Sequence, residues 1–479
     1  MIRFLFLLLL VAPTVQAQDT PVTTRTITLV EAVQIAQQQS TALRRAEIAN
    51  LSREIAISDA RNAYLPDVGA STSASQRYGR SFDQTTGQLN NETTESASVS
   101  ASASYTIFDG GRRARVDQAR VGLRAGQLGL ERVEQDLVFQ VATQFLNVIS
   151  SREQVDVQQI ALDQQLRLLD QVEGLIQGGV RPASEIYQQQ AQVAQARLSV
   201  VNAQRTVQLA EANLIQLLQL DPFVDYRFAI PELPDLSDEA LEIENYELRG
   251  LIETAYERRS DLEALEADIE SAGLSESIAR AGRLPRVSAS ASYGTSWTSA
   301  SQQFIFNSAG LPLDVDGVPI LGPGTGQTAA RERTPFFDQL DQQRGGSIGI
   351  SLSYSIFDAN RTRNSVQRAR VQAQTAQLNL EDQQQQIATQ VRQSILDYRS
   401  AAAQVTFSRV QVEAAQQAFQ AAEQRYAAGA GTLYDVQQAQ TQLTNAQSNL
   451  VSAQYQFVFQ EKLIDYYTGT IDVDRLSFD

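Results

Sequence analysis

The sequence predicts a mostly helical chain that carries a transmembrane β-barrel sheet and is built from two tandem repeats. Three observations predict this. A strand-to-helix junction occurs twice, as Y-T-I-F-D-G-G-R-R from Tyr105 to Arg113 and Y-S-I-F-D-A-N-R from Tyr354 to Arg361. Each junction closes a run of strict polar–apolar alternation and opens a helical pattern of about seventy residues. Paired residues also recur in order: Leu43 with Leu262 and Leu65 with Leu284 at an offset of 219, Asp109 with Asp358 at 249, Gly179 with Gly429 at 250. The jump from 219 to 249 falls in a long loop, where an insertion costs little.

Residues 1–17 read as a secretory signal: the basic start Met1-Ile2-Arg3, the apolar run Phe4 to Ala12, and Val15-Gln16-Ala17 before the cleavage point. Loss of Arg3 takes the net charge from −16 to −17. The run is too short for a membrane anchor, and no later stretch has the length and apolarity of a spanning helix.

The first repeat is expected over 18–222. Thr28-Leu-Val-Glu31 is a capping box, and one helix is predicted from there to about Tyr64, with Leu29, Val33, Ala36, Leu43, Leu51 and Ile55 as its apolar stripe. Leu65-Pro66 ends it. A strand is expected over Asp67 to Gly79, a polar loop around Asp83 to Thr94, and a second strand over Glu95 to Phe108. In that strand Ala97, Val99, Ala101, Ala103, Tyr105 and Ile107 alternate without error against serine and threonine. A long helix follows from Gly110 to about Ile176, broken by Gly178-Gly179-Val180-Arg181-Pro182, and a second helix runs to about Leu220.

Residues 223–246 carry Pro231 and Pro234 and read as an irregular segment. The second repeat, over 247–468, returns to the same plan. A helix runs to Arg283 and a strand over Val287 to Trp297. A Gly/Pro/Asp-rich loop follows to Gly345, then a strand over Ser347 to Phe357. A long helix from about Asn360 to Ala427 is broken at Gly429, and a last helix starts at Leu433. Residues 469–479 form a tail.

At 1.5 Å per residue the long helices span roughly 100 Å, and a stacked pair of shorter ones matches each. The predicted packing is one long helix against two short ones along heptad-like seams. Each chain supplies four strands of membrane-spanning length. Four strands cannot close, and lipid tolerates no open sheet edge. Three chains give twelve strands, an even number within the range of outer-membrane barrels. Tyr78, Tyr105, Phe108, Tyr293, Trp297, Tyr354 and Phe357 fall near strand ends, where an aromatic girdle belongs.

Acidic residues outnumber basic ones 55 to 39, and there is no cysteine or histidine. Nucleic acid is therefore not expected as a partner. Thiol and imidazole catalysis and the usual zinc sites are excluded. No phosphate-binding glycine loop of the G-x-x-x-x-G-K-[ST] type is present. No enzyme activity, cofactor or metal site is expected.

In these features the chain resembles the TolC-like outer-membrane factor family over essentially all of its mature length. The features that carry the resemblance are the duplicated plan, the I-F-D-x-x-R junctions and the two Gly-x5-acid turns, Gly179 to Glu185 and Gly429 to Asp435. The resemblance implies a homotrimer with a 12-stranded barrel in the outer membrane and a long periplasmic α-helical barrel. It implies an exit duct for an inner-membrane pump of the RND, ABC or MFS type and its periplasmic adaptor, in efflux or type I secretion.

By the same resemblance Asp435 matches a gate carboxylate, with Gln438 where some members carry a second acid. Ser184, Glu185 and Tyr426 match the latch that holds the tips closed. The basic residue that completes this latch falls at Gly431, so Arg425 or Arg181 is expected to substitute. Gly178-Gly179-Val180 and Ala428-Gly429-Ala430 match the adaptor-contacting tips. Thr432 and Asp435 also form a capping box, so the acid serves helix initiation and a gate equally well. A stand-alone porin or an exported structural coiled coil are the competing readings.

Overall fold

The computed structural model describes residues 25–83, 88–91, 93–229, 247–320 and 329–471. The expected signal sequence lies outside them. The first part of the chain contains β1 (Arg25–Ile27), α1 (Leu29–Gln39) and α2 (Thr41–Asn62). Four strands follow, β2 (Asp67–Arg77), β3 (Arg80–Asp83), β4 (Gln88–Asn91) and β5 (Thr94–Phe108), then α3 (Arg112–Gln177) and α4 (Ser184–Leu217). After β6 (Tyr226–Phe228) come α5 (Leu248–Arg258), α6 (Ser260–Ala281) and β7 (Arg286–Thr298). The short elements β8 (Gln302–Phe304), β9 (Arg331–Arg333) and α7 (Phe336–Gln342) precede β10 (Gly345–Ser353), α8 (Arg361–Ala427) and α9 (Leu433–Thr468).

Several elements depart from the sequence expectations. The helix expected from Thr28 to Tyr64 is two helices, broken at Ser40 (φ −56°, ψ 123°). The Ser40 hydroxyl accepts from the Leu43 amide and so starts the next helix. The helix expected from 247 to 283 is broken at Arg259, also in extended backbone. These two breaks are 219 residues apart, the offset already seen in the sequence. The loop expected around Asp83 to Thr94 contains the β3–β4 hairpin. The irregular segment contains β6, which pairs in parallel with β1; the rest of that segment, from residue 230 to 246, lies outside the described residues. Ile471, in the expected tail, is part of the core of its unit.

The chain divides into two compact units. One comprises residues up to Ile48, Gln127–Glu263 and Glu381 onward; the other comprises Ala49–Gly126 and Ala264–Leu380. The first is helical around the β1–β6 pair. Its main core gathers Ile27, Val33, Phe145, Ile149, Leu214, Phe228 and Val458 from α1, α3, α4, α9 and that pair. A second cluster joins Leu168 and Val172 of α3 to Phe419 and Tyr426 of α8 and Leu433, Val436 and Leu443 of α9.

The other unit holds a four-stranded antiparallel sheet in the order β10-β7-β5-β2. Because side chains alternate with a period of two, the register sorts them by face. Ala70, Ala101, Tyr293 and, across β7, Ala291 with Ile348 share one face. The opposite face carries a serine ladder: Ser71–Ser100, Ser73–Ser98, Ser75–Ser96, Ser288–Ser351 and Ser292–Ser347 hydroxyls lie 2.8–3.0 Å apart. Strand β10 ends at Ser353, four residues short of the expected Phe357. Its partner β7 begins opposite, at Arg286, and Pro285 before it offers no N–H. Helix α7 lies on the apolar face, with Phe336 5.6 Å from the Trp297 ring and the Leu340 carbonyl accepting from Thr295 Oγ1.

Candidate functional site

The two turns that join long to short helices are built alike. In the first, the Val180 amide reaches the Leu175 carbonyl and the Gly179 amide the Ile176 carbonyl. In the second, Ala430 reaches Arg425 and Gly429 reaches Tyr426. Both are Schellman caps, with Gly179 (φ +73°) and Gly429 (φ +76°) in the left-handed region. A Cβ at either position meets open space, so an alanine costs only the backbone strain, about 1–2 kcal/mol. Gly179→Ala and Gly429→Ala are each expected to speed hydrogen exchange at Val180 or Ala430 while leaving the remaining helices protected. Unchanged exchange shows that the turn tolerates the strain.

Beyond the turns the two repeats diverge. Helix α9 starts with a complete capping box: the Asp435 amide donates to Thr432 Oγ1 at 3.2 Å, and the Thr432 amide donates to Asp435 Oδ2 at 3.0 Å. The Thr432 hydroxyl donates to the same Oδ2 at 2.7 Å. This hydroxyl, the Thr432 amide and the nearby Arg425 hold the Asp435 carboxyl below the usual carboxylate range. Helix α4 has no side-chain cap; the Glu185 amide donates to the Pro182 carbonyl.

Glu185 and Asp435 occupy the same position in the two repeats, 250 residues apart, yet their carboxylates differ. Asp435 is exposed, as is Gln438 one turn on. Glu185 is only 14 % exposed and accepts the Tyr426 hydroxyl at 2.6 Å. Burial, followed by the Glu185 carboxylate, pushes the Tyr426 phenol far up, so it stays a neutral donor.

Arg181 completes this cluster. Its guanidinium lies 4.4 Å from the centre of the Tyr426 ring. Nη2 donates to the Tyr426 carbonyl at 3.1 Å and to the Gly431 carbonyl at 2.7 Å. Nη1 lies 4.0 Å from Glu185 Oε1, at the limit of an ion pair. One arginine from the first turn thus reaches the second. Gly431 has no side chain to pair, but its carbonyl receives the arginine. Arg425 instead donates to Ala421 of its own helix. Ser184 is exposed and makes no side-chain hydrogen bond among the described residues.

A buried glutamine cluster lies one turn further from the tips. Gln189 of α4 is fully buried; its Nε2 donates to the Gln165 carbonyl and side chain of α3, at 2.9 and 2.6 Å. Its Oε1 accepts from Gln437 of α9 at 2.9 Å. Gln440, also buried, donates to the Ala161 carbonyl. None of these glutamines is among the residues that the sequence singles out. Their spacing is the available signal: Gln440 continues the series Leu433, Val436 and Leu443, and Gln189 the series Val193, Ala196 and Val200.

Gly178, Gly179, Val180, Ala428, Gly429 and Ala430 are all exposed. They present a small, uncharged surface. Among the described residues no group of three or more carboxylates is placed to hold a metal ion, and no helix is long and apolar enough to cross a membrane.

Two relatives carry the name pyoverdine export outer membrane protein OpmQ. The Pseudomonas putida protein is 29 % identical over 248 residues and the Pseudomonas aeruginosa protein 28 % over 253, in each case 50 % of both chains. The chain therefore spans about half the length of the curated relatives it matches. Among solved structures, the outer membrane protein VceC of Vibrio cholerae superposes with a TM-score of 0.66 at 19 % identity, over 92 % of this chain and 96 % of that one. CusC gives 0.71 at 17 %, over 92 % of each chain. The CmeC outer membrane channel of Campylobacter jejuni gives 0.69 at 15 %, over 93 % and 88 %. The fold is that of these outer-membrane channels. The outer membrane efflux protein family matches residues 32–219 and 251–470, most of both repeats, and the chain belongs to that family.

Proposed function

We propose that the chain is one protomer of a homotrimeric exit duct that conducts substrates passively out of the cell. In this reading a periplasmic adaptor and an inner-membrane pump of the RND, ABC or MFS type deliver the cargo. Family membership places the chain in the cell outer membrane, extending into the periplasm. Pyoverdine, the export substrate in the names of both relatives, is the first cargo to test.

The observation that carries the reading is the four-stranded sheet with one apolar and one serine face, whose outer strands β2 and β10 each have one edge without a partner among the described residues. Lipid permits no open edge. Three copies close twelve strands, with the serine ladder lining the lumen. The helices support it as well. Leu198, Val201 and Leu209 on α4 and Phe407 and Val410 on α8 are exposed in one chain and are apolar rows that neighbouring copies cover. A porin has no use for helices of 66 and 67 residues. An exported coiled-coil rod has no use for the sheet.

The mass of the mature protein extracted from outer membranes in mild detergent tests this. A trimer is expected; a monomer or dimer overturns the duct.

In the trimer, Asp435 supplies one carboxylate per chain to a ring at the closed tips, and Gln438 adds none. The cap and the ring are separable. Asp435→Asn keeps an oxygen for Thr432 and removes the charge; it is expected to abolish divalent-cation block in planar bilayers and weaken cation preference. Thr432→Ala keeps the charge and frays the first turn of α9, leaving the block in place. Block that survives Asp435→Asn removes Asp435 from the constriction.

A further inference from the structure

We propose that the end of the sheet from which the long helices start binds anionic phospholipid headgroups of the periplasmic leaflet. The binding groups are Arg61, Arg113, Arg283, Arg286, Arg361 and Arg363. The proposal rests on the reading of the sheet as membrane-spanning.

The strand register brings these arginines to one level. Asp67 pairs with Ser104, Val287 with Phe108 and Arg286 with Ser353, so β2 and β7 begin where β5 and β10 end. Four helix termini meet there. The Arg112 guanidinium at the start of α3 lies 4.6 Å from the Tyr64 ring after α2. Gly110 lies against Leu284 after α6, and Gly282 against Thr362 at the start of α8.

The charge at this level runs against that of the chain. Residues 59–67, 109–117, 280–286 and 358–363 together hold nine arginines and five aspartates, in a protein of net charge −16. Three of those aspartates are engaged. Asp109 accepts from Arg115 and the Gly111 amide, Asp117 pairs with Arg120, and Asp358 accepts the Thr362 amide. The Arg113 side chain is 92 % exposed although its Nε lies 3.8 Å from Asp117. Arg61, Arg283, Arg361 and Arg363 are exposed and form no ion pair among the described residues. At the opposite end of the sheet the charges balance: residues 331–344 carry three arginines and three acids, and Arg344 pairs with Asp341 at 3.0 Å.

Helix stability does not explain this placement. The first turns of α3 and α8 contain arginines and no acid, and cations there oppose the helix dipole. Glu31 opening α1, Glu185 opening α4 and Asp435 opening α9 follow the dipole, whereas α2 and α5 also open without an acid. An external layer of negative charge reverses the preference. Phosphates take arginine's planar fork in two parallel hydrogen bonds. The adjoining side chains suit a membrane boundary: Leu65, Phe108, Leu284, Ile356 and Phe357 are all exposed. Amphipathic and apolar groups at that depth contact the acyl chains while the arginines reach the headgroups.

The test uses the full chain extracted from outer membranes and placed in lipid nanodiscs of phosphatidylcholine with and without phosphatidylglycerol. Retained lipid is counted by native mass spectrometry. Each arginine near an anionic surface is worth roughly fivefold in lipid partitioning. The wild type is therefore expected to retain phosphatidylglycerol at least tenfold over phosphatidylcholine, with the preference falling at high salt. The variant Arg61→Gln/Arg283→Gln/Arg361→Gln/Arg363→Gln is expected to lose most of that preference, the remainder resting on Arg113 and Arg286, with unchanged channel conductance.

If the fourfold variant fails to assemble, the pairs Arg61→Gln/Arg283→Gln and Arg361→Gln/Arg363→Gln are each expected to lose part of the preference. Equal retention by the wild type, or an undiminished preference in the variants, overturns the proposal. So does full displacement by inorganic phosphate, which marks a site for free anion. A wild-type chain that does not enter the bilayer overturns the membrane reading itself, a result separate from entry without lipid preference.

Discussion

Arg181→Gln is expected to raise the resting conductance of the channel more than any other single change at the helix tips. The wild-type guanidinium holds two carbonyls, of Tyr426 and Gly431, that belong to the opposite turn. Charge-assisted hydrogen bonds of this kind contribute about 1.5–3 kcal/mol each, and the stacking over Tyr426 adds roughly 0.5–1 kcal/mol. Glutamine recovers part of one bond, and water reaches a side chain that is 14 % exposed. A net loss of about 2–4 kcal/mol shifts the closed-to-open ratio by roughly 30- to 800-fold.

Open probability in planar bilayers measures the shift directly. Tyr426→Phe removes only the hydrogen bond to the Glu185 carboxylate and is expected to give about 1.5–3 kcal/mol, or roughly 10- to 150-fold. Arg425→Gln is the control. Among the described residues its side chain hydrogen-bonds to its own helix, so a much smaller change in open probability is expected. Equal open probability in Arg181→Gln and wild type removes Arg181 from the latch.

The features of the tips that depend on local chemistry were legible in the sequence, and those that depend on tertiary contact were not. Gly-Gly-Val and Ala-Gly-Ala after a long periodic run announce a left-handed cap, and Thr432-x-x-Asp435 announces a helix start. Nothing in the spacing of Arg181 says that it crosses to the other turn. Only the absence of a side chain at Gly431 pointed to a substitute, and Arg425 fitted that clue as well as Arg181.

The fold divides the same way. Strict alternation located β5 and β7 to within a residue or two. The same alternation continues through Tyr354 and Ile356, where the chain leaves the sheet because β7 begins only at Arg286, opposite Ser353. Ser40 carries a readable cap. The equivalent break at Arg259 has none: its buried guanidinium is held by Asp261 at 2.7 and 2.9 Å and by the Tyr467 carbonyl. The periodicity puts Leu51 and Ile55 in one apolar stripe with Leu29 and Val33. They are exposed in the single chain, because periodicity records that a face is apolar and not which molecule covers it.

The largest loss of stability within one chain is expected from Phe145→Ala. Phe145 of α3 is fully buried. It meets Phe228 edge to face, with ring centres 5.9 Å apart at 84°, in the core that joins α1, α3, α4 and α9 to the β1–β6 pair. Truncating a buried phenylalanine costs about 3–5 kcal/mol through lost burial and the cavity left behind. The β1–β6 pair has little of its own to set against that loss. Its register covers three residue pairs, and a two-stranded sheet of that size is marginal in water. A further tie to the helices is Arg152, which donates to the Phe228 carbonyl at 2.6 Å while pairing with Glu211.

The strand pair is therefore expected to detach before the helices unfold. Hydrogen exchange at Ala229, whose amide donates to the Ile27 carbonyl, is expected to rise by roughly two to three orders of magnitude. The Val180 and Ala430 amides at the tips keep their protection. Arg152→Met is expected to shift Ala229 in the same direction by less, since the aromatic contact remains. If Phe145→Ala instead speeds exchange equally at Ala229 and at the tips, the helical unit unfolds as one body. The β1–β6 pair is then an integral part of that body rather than a girdle docked upon it.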